Sequence, residues 1–348
     1  MAEPILLVAP SWIGDAILSE PLLAILREPL QEPTVDVLAP PWCAPVYARM
    51  RGVRNIIENP IGHRELGLGE RRALARTLRA AGYTRALVLP NSFKSALIPW
   101  MARIPRRIGY AREARRILLT DARRLDSKAL PRLVDRFVAL AAQPGELVPT
   151  SAAPVLVPDA ANAAEAIRVL GLSTHRPVAI LCPGAEFGPA KRWPAEHFIT
   201  LARRFIDSGY AVWLVGSPND RVAADPIAAA IPEVRNVCGR TDLGTAIDLL
   251  ATASVVVSND SGLMHAAAAV GRPLVALFGS SSPDYTPPLS PLARVAKIQI
   301  VCSPCFQREC PLGHFKCMRD LQPWMVYNFA RAAMPLHLSA RVPAPAET

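Results

Sequence analysis

The sequence predicts an α/β protein made of two doubly wound, largely parallel-sheet domains. Three observations predict it. Short aliphatic runs alternate with longer amphipathic stretches, the pattern of strand–helix–strand units. That pattern lapses in a Pro-rich segment, residues 143–159, and then restarts. The chain has 348 residues, 51% of them hydrophobic, which is too long for one ordinary domain and enough for two cores. The expected divisions are an N-terminal domain over 1–155, a second over 156–325, and a helix with a tail over 326–348.

The first domain begins with PILLVAP at 4–10, an unbroken apolar run that predicts a buried strand. SWIGD at 11–15 predicts a turn, and residues 16–27 carry apolar side chains at helical spacing. VDVL at 35–38 predicts the second strand, ended by Pro40 and Pro41. A basic helix over 70–81 stops at Gly82. A strand over 85–89 leads into the loop PNSFK at 90–94, and residues 106–110 form a further short strand.

In the second domain, strands are predicted over 178–181 and 211–215, and helices over 195–208 and 245–252. The stretch 254–288 then reads as strand, polar turn, helix, strand and loop. VVV at 255–257 is β-branched, NDSG at 259–262 is a turn and helix start, and residues 263–270 are Ala-rich. Gly271, Arg272 and Pro273 stop the helix, residues 274–278 are a second buried strand, and 279–282 are small. The polar turns fall at strand C-termini, where open α/β sheets bind ligands. A helix N-terminus there offers free N–H groups and partial positive charge, which suits a diphosphate. A terminal helix is expected within 323–338, and the last residues, 341–348, read as disordered.

Composition narrows the function. The longest apolar run falls short of the ~18 residues of a membrane span. The start has no basic segment before its apolar run and carries Glu3, so it does not read as a signal peptide. The expected compartment is the cytoplasm, where seven cysteines stay reduced. Net charge is +10, with +7 in residues 1–173 (23 Lys/Arg against 16 Asp/Glu), and residues 103–124 hold eight Arg against two acids. An anionic partner of the first half is expected: a phosphorylated substrate, an anionic membrane surface or nucleic acid. No RRM, helix-turn-helix or zinc-finger signature accompanies the basic pI, so nucleic acid is not expected.

Two loops of the second half suit phosphate. CPGAEFGPAKRWP at 182–194 brings two Gly, Lys191 and Arg192 just before a helix, and GSPND at 216–220 holds the equivalent place after the next strand. Neither a Walker A loop nor a G-x-G-x-x-G is present. Together with PSWIGD at 10–15, LPNSFKSA at 89–96 and SNDSGLMHAAAAVGRPLVALFGSSSPDYTPPL at 258–289, these strings resemble the ADP-heptose:lipopolysaccharide heptosyltransferases, nearest the heptosyltransferase II branch. The motifs lie in both halves, so the resemblance covers nearly the whole chain.

The resemblance implies a GT-B architecture: two Rossmann-like domains facing a cleft, acceptor on the first and nucleotide sugar on the second. It implies inverting transfer of heptose from ADP-heptose to the first heptose of a heptosyl-Kdo-lipid A acceptor, at or near the cytoplasmic face of the inner membrane. Position by position, Asp15 falls on the family's base, and Lys191 on a residue that contacts the donor phosphates. Gly184, Asp220, Asp260, Ser261, Gly262 and His265 fall in the donor loops, and Asn91, Ser92 and Lys94 on the acceptor side. Asp15 also directly precedes an apolar helical run, a position that suits a helix cap. Heptosyltransferase I and other GT-B enzymes, including epimerases, stay open as alternatives.

The chemistry agrees with the resemblance. Glycosyl transfer needs one base for the acceptor hydroxyl and charge stabilisation for the leaving diphosphate. The sequence has no Asp-x-Asp to hold a divalent ion, while Lys191 and the 259–263 turn can supply positive potential. No cofactor and no catalytic metal are expected. Cys302, Cys305, Cys310 and Cys317 give C-x2-C-x4-C-x6-C, with His314 among them. The first pair is zinc-like, the later spacings match no standard module, and any ion there is expected to be structural.

Overall fold

The structure is a computed structural model that describes residues 4–27, 35–62, 65–143 and 145–334. Its contacts divide the chain into two units, Met1–Val157 and Pro158–Thr348.

The first unit holds a six-stranded parallel sheet in the order β3-β2-β1-β4-β5-β6. The strands are β1 (Ile5–Val8), β2 (Val35–Ala39), β3 (Val53–Glu58), β4 (Arg85–Val88), β5 (Arg106–Tyr110) and β6 (Asp121–Arg123). β1 and β2 are buried along their whole length, as central strands covered on both faces must be. Asp36 is the polar exception in β2. Arg54 donates to both its oxygens at 2.9 and 2.8 Å, and Tyr83 and Asn55 donate at 2.6 and 3.0 Å. The order reverses between β1 and β4, which makes their C-terminal ends the switch point of the sheet.

The sequence predicts one helix over 16–27, but two are present, Ile13–Leu18 and Glu20–Arg27. Pro21 has no N–H to give the Ile17 carbonyl, and the first helix closes at Ser19, whose Oγ donates to Ala16 O at 2.6 Å. The basic helix runs Leu68–Ala80, and Gly82 follows it at φ 68°, a left-handed conformation that glycine adopts at little cost. Five short elements of this unit escape the periodicity reading: β3, β6 and the helices Ala44–Tyr47, Leu97–Met101 and Leu133–Val138. β3 is half-exposed and mixed in polarity, and the others span six residues or fewer.

The second unit repeats the plan. Its strands are β7 (Val178–Cys182), β8 (Ala211–Leu214), β9 (Arg235–Asn236), β10 (Val255–Asn259), β11 (Leu274–Leu277) and β12 (Ala293–Ala296). They are parallel in the order β12-β11-β10-β7-β8-β9, with the switch between β7 and β10. Helix Ala160–Leu170 opens the unit, and the side chain of Asp159 caps it by accepting from Ala161 N and Asn162 N. Helix Pro323–Ala333 buries Val326, Tyr327 and Ala330 in this unit's core. Residues 335–348, where a tail is expected, lie outside the described residues. Among the described residues, no helix is long and apolar enough to cross a membrane.

Candidate active site

Each unit places candidate residues at its own switch point. In the second, the loop after β7 meets the turn after β10. Asn259, expected in that turn, is instead the buried last residue of β10. Its Nδ2 donates to Pro183 O at 2.7 Å, and its Oδ1 accepts from Trp193 N at 3.2 Å, so one side chain clasps both ends of the β7 loop.

Asp260 follows and is only 5% exposed. Lys191 Nζ donates to its Oδ2 at 2.5 Å, and Ser281 Oγ, from the loop after β11, donates to the same oxygen. The ammonium of Lys191 also stands 4.9 Å from the centre of the Phe187 ring. A cation is thereby held at the switch point by a carboxylate that is itself nearly out of water. Ser261 is the N-cap residue of helix Gly262–Ala269 and has extended backbone, and its side chain makes no capping bond to the helix. The first N–H groups of that helix lack a side-chain cap, an arrangement that attracts anions. His265 lies one turn inside the helix, 5% exposed. Burial lowers its pKa to about 4; the nearby Asp260 charge opposes the shift and the Lys191 charge adds to it. The imidazole is neutral at pH 7 and offers a hydrogen bond rather than a charge.

Gly184 and Asp220 also meet. A Cβ on Gly184 would stand 1.9 Å from Asp220 Oδ1, so only glycine fits against that carboxylate. Asp220 Oδ2 accepts from Ser217 N and Ser217 Oγ, both at 2.8 Å, in a capping box that fixes the loop after β8.

In the first unit, Asp15 is the third residue of helix Ile13–Leu18. The N-cap position belongs to Trp12, so the alternative expectation of Asp15 as helix cap is corrected: the helix starts earlier than the apolar run suggests. Asp15 is half-buried, and its charge acts on Cys43 and Tyr47, whose pKa values burial raises, that of Cys43 to about 12.

Asn91 and Ser92 lie in the loop after β4, the strand beside β1, and Lys94 in the single 3-10 turn Phe93–Ala96 that follows. That loop is built on Arg115, which is fully buried. Arg115 donates to Asn91 Oδ1 at 3.1 Å, to Ser95 Oγ at 3.2 Å, to Tyr110 O at 2.7 Å and to Pro90 O, and burial lowers its pKa to about 10. The Arg-rich segment thus divides. Arg107, Arg115 and Arg123 are at least half-buried and hold protein groups, Arg106 bonds Gln143 from an exposed position, and Arg103, Arg112, Arg116 and Arg124 are exposed.

Sequence reasoning missed Asn259 as a clasp, Ser281 as the second ligand of Asp260, and Arg115 as a scaffold. Each depends on a contact across 20 or more residues, and only the small-residue loop at 279–282 had marked one of them in advance.

The family profile described as glycosyltransferase family 9 (heptosyltransferase) matches residues 71–316. Lipopolysaccharide heptosyltransferase 2 of Escherichia coli (strain K12) is 44% identical over 341 residues, 95% of this chain and 98% of that one. Lipooligosaccharide heptosyltransferase 2 of Haemophilus influenzae is 46% identical over 307 residues, 84% and 88% of the two chains. The solved structure of the E. coli ADP-heptose lps heptosyltransferase II superposes with a TM-score of 0.86 at 42% identity, covering 95% of this chain and 98% of that one. With two doubly wound α/β units of GT-B type and these full-length likenesses, the chain belongs to glycosyltransferase family 9, the heptosyltransferases.

Proposed function

We propose that the chain transfers heptose from ADP-heptose to the first heptose of the lipopolysaccharide inner core, with inversion at the anomeric carbon. The observation that carries the proposal is the Lys191–Asp260–Ser281 cluster beside a helix start that lacks a side-chain cap, a site suited to a diphosphate that leaves with negative charge. Lys191 and the N–H groups at Ser261–Gly262 hold the phosphates, and Asp260 keeps the ammonium in place. Gly184 lets the donor approach the backbone, Asp220 takes a ribose hydroxyl at the end of the second strand, and His265 donates a neutral hydrogen bond.

On the acceptor side, Asp15 takes the proton from the attacking hydroxyl. The hydroxyl oxygen bonds to the anomeric carbon from the face opposite ADP, and the carbon–oxygen bond to the diphosphate breaks with its electron pair. Asn91, Ser92 and Lys94 orient the acceptor. The exposed Arg103, Arg112, Arg116 and Arg124 favour the anionic lipid acceptor and peripheral contact with the cytoplasmic face of the inner membrane.

The test is ADP formation from ADP-heptose with and without heptosyl-Kdo-lipid A. The proposal expects release to depend on the acceptor and to saturate with it. Release at the same rate without acceptor, or none at all, would overturn it.

A further inference from the structure

The segment 299–315 contains no helix or strand, and Val301, Phe306 and Leu312 are exposed. Few buried apolar side chains hold it, yet it makes defined contacts. Four thiols, Cys302, Cys305, Cys310 and Cys317, line one cavity of about 20 Å³ together with His314, Ala190 and Ser280. That volume suits a single small occupant. The four are free thiols, with no disulfide among them.

We propose that Cys302, Cys305, Cys310 and Cys317 bind one zinc ion as four thiolates, and that the ion braces the loops carrying Lys191 and Ser281. Four sulfur donors in a C-x2-C-led spacing favour tetrahedral zinc. Backbone N–H groups already face the sulfur of Cys310 as they do around a metal-bound thiolate. Phe315 N donates to Cys310 Sγ at 3.4 Å, and the backbone N–H groups of Leu312, Gly313 and His314 also act on that sulfur. His314 is an outer partner rather than a ligand. Its Nδ1 accepts from Lys316 N at 3.0 Å, so Nε2 carries the proton, and Nε2 stands 3.9 Å from Cys302 Sγ as a donor. Among the described residues, no three His, Cys, Asp or Glu side chains are already set in metal-holding geometry. Binding therefore turns the thiol side chains into the cavity they line. The step releases four protons as four thiols become thiolates.

The brace follows from what the segment touches. Ala190 N donates to Arg308 O at 3.0 Å, one residue before Lys191. Phe306 N donates to Ser280 O at 2.6 Å and Ser303 Oγ to Gly279 O at 2.7 Å, just before Ser281. Both loops that meet at Asp260 are tied to the cysteine segment. This second half of the proposal rests on the donor-site reading; the ion-binding half does not.

The test is elemental analysis of the purified full chain after dialysis, with cobalt(II) exchange as an optical probe. The proposal expects about one zinc per chain and, with cobalt(II), the strong thiolate-to-metal absorption of a tetrahedral four-sulfur site. Cys310→Ser and Cys317→Ser should lose the ion, while Cys43→Ser, Cys238→Ser and His314→Ala should keep it. Wild-type protein purified with zinc that retains only traces and gives no cobalt–thiolate absorption would overturn the site, whatever the variants do. Loss of the ion in His314→Ala would overturn the four-thiolate assignment. Removing the ion should also raise the Kd for ADP. An unchanged Kd, with ADP binding still sensitive to Lys191→Ala, would overturn the brace and leave the donor site standing.

Discussion

Lys191→Ala removes the ammonium that Asp260 holds at the second unit's switch point, and its consequences can be worked from the pair it makes. The Lys191 side chain is 16% exposed and its partner Asp260 5%, so both charges are largely out of water. A charge-assisted hydrogen bond contributes about 1.5–3 kcal/mol. At about 1.4 kcal/mol per decade, losing it on the donor phosphates lowers kcat/KM roughly ten- to more than a hundredfold. A second effect adds to this one. The carboxylate of Asp260 keeps Ser281 as donor but loses its cation, and it then repels the diphosphate. Stability should fall as well, by less than the ~3–5 kcal/mol of breaking a fully buried pair, because Lys191 reaches some solvent. The double variant Lys191→Ala/Asp260→Asn separates the two effects. Removing the stranded charge should recover part of the ADP affinity and of Tm, without restoring full turnover. Calorimetric titration with ADP and steady-state kinetics with ADP-heptose make the measurement. Unchanged ADP affinity in Lys191→Ala, or a double variant as impaired as the sum of the singles, would refute the reasoning.

Three further outcomes follow from the same geometry. Asp15→Asn should lower kcat by about 10²–10⁴, the usual worth of a general base, with Tm and ADP affinity near wild type; steady-state kinetics beside a thermal melt checks this, and near-normal kcat would remove Asp15 from catalysis. His265 binds a proton in the unfolded chain below its ordinary pKa of 6.5 but resists one in the folded chain down to about 4, so stability should fall as pH drops through that window. His265→Gln should flatten that fall in urea melts taken across it, and an unchanged slope would show that other groups cause the acid sensitivity. Withholding Mg²⁺ and Mn²⁺ should leave kcat unchanged, since Lys191 and the helix N-terminus supply the positive potential; restoration of lost turnover by either ion would contradict this.

Most of the architecture was legible because buried parallel strands such as ILLV and VVV are unbroken apolar runs that need no partner to be recognised. Short elements were not: β9 and β6 are two and three residues long and exist through their neighbours' hydrogen bonds rather than their own composition. The split at Ser19 was written in Pro21, yet the apolar spacing runs straight through it. At the candidate site, Lys191, Asp260 and Gly184 were readable from loop position after a predicted strand. Arg115 was not, because it lies among exposed arginines and only its bonds to Asn91 and Ser95 mark it as internal. The net charge of the first half therefore overstated the basic surface, since of the eight arginines in 103–124 Arg115 is buried and Arg107 and Arg123 are half-buried against protein groups.

The central claim is that a heptose moves from ADP-heptose onto the inner-core heptose, and the mass of the acceptor tests it most directly. Purified protein is incubated with ADP-heptose and either heptosyl-Kdo-lipid A or the same acceptor lacking its heptose, and each product is weighed by mass spectrometry. The account predicts a gain of one heptose on the first acceptor and none on the second, with ADP formed in equal amount. A gain only on the acceptor that lacks heptose, or ADP formed with no gain on either, would contradict it.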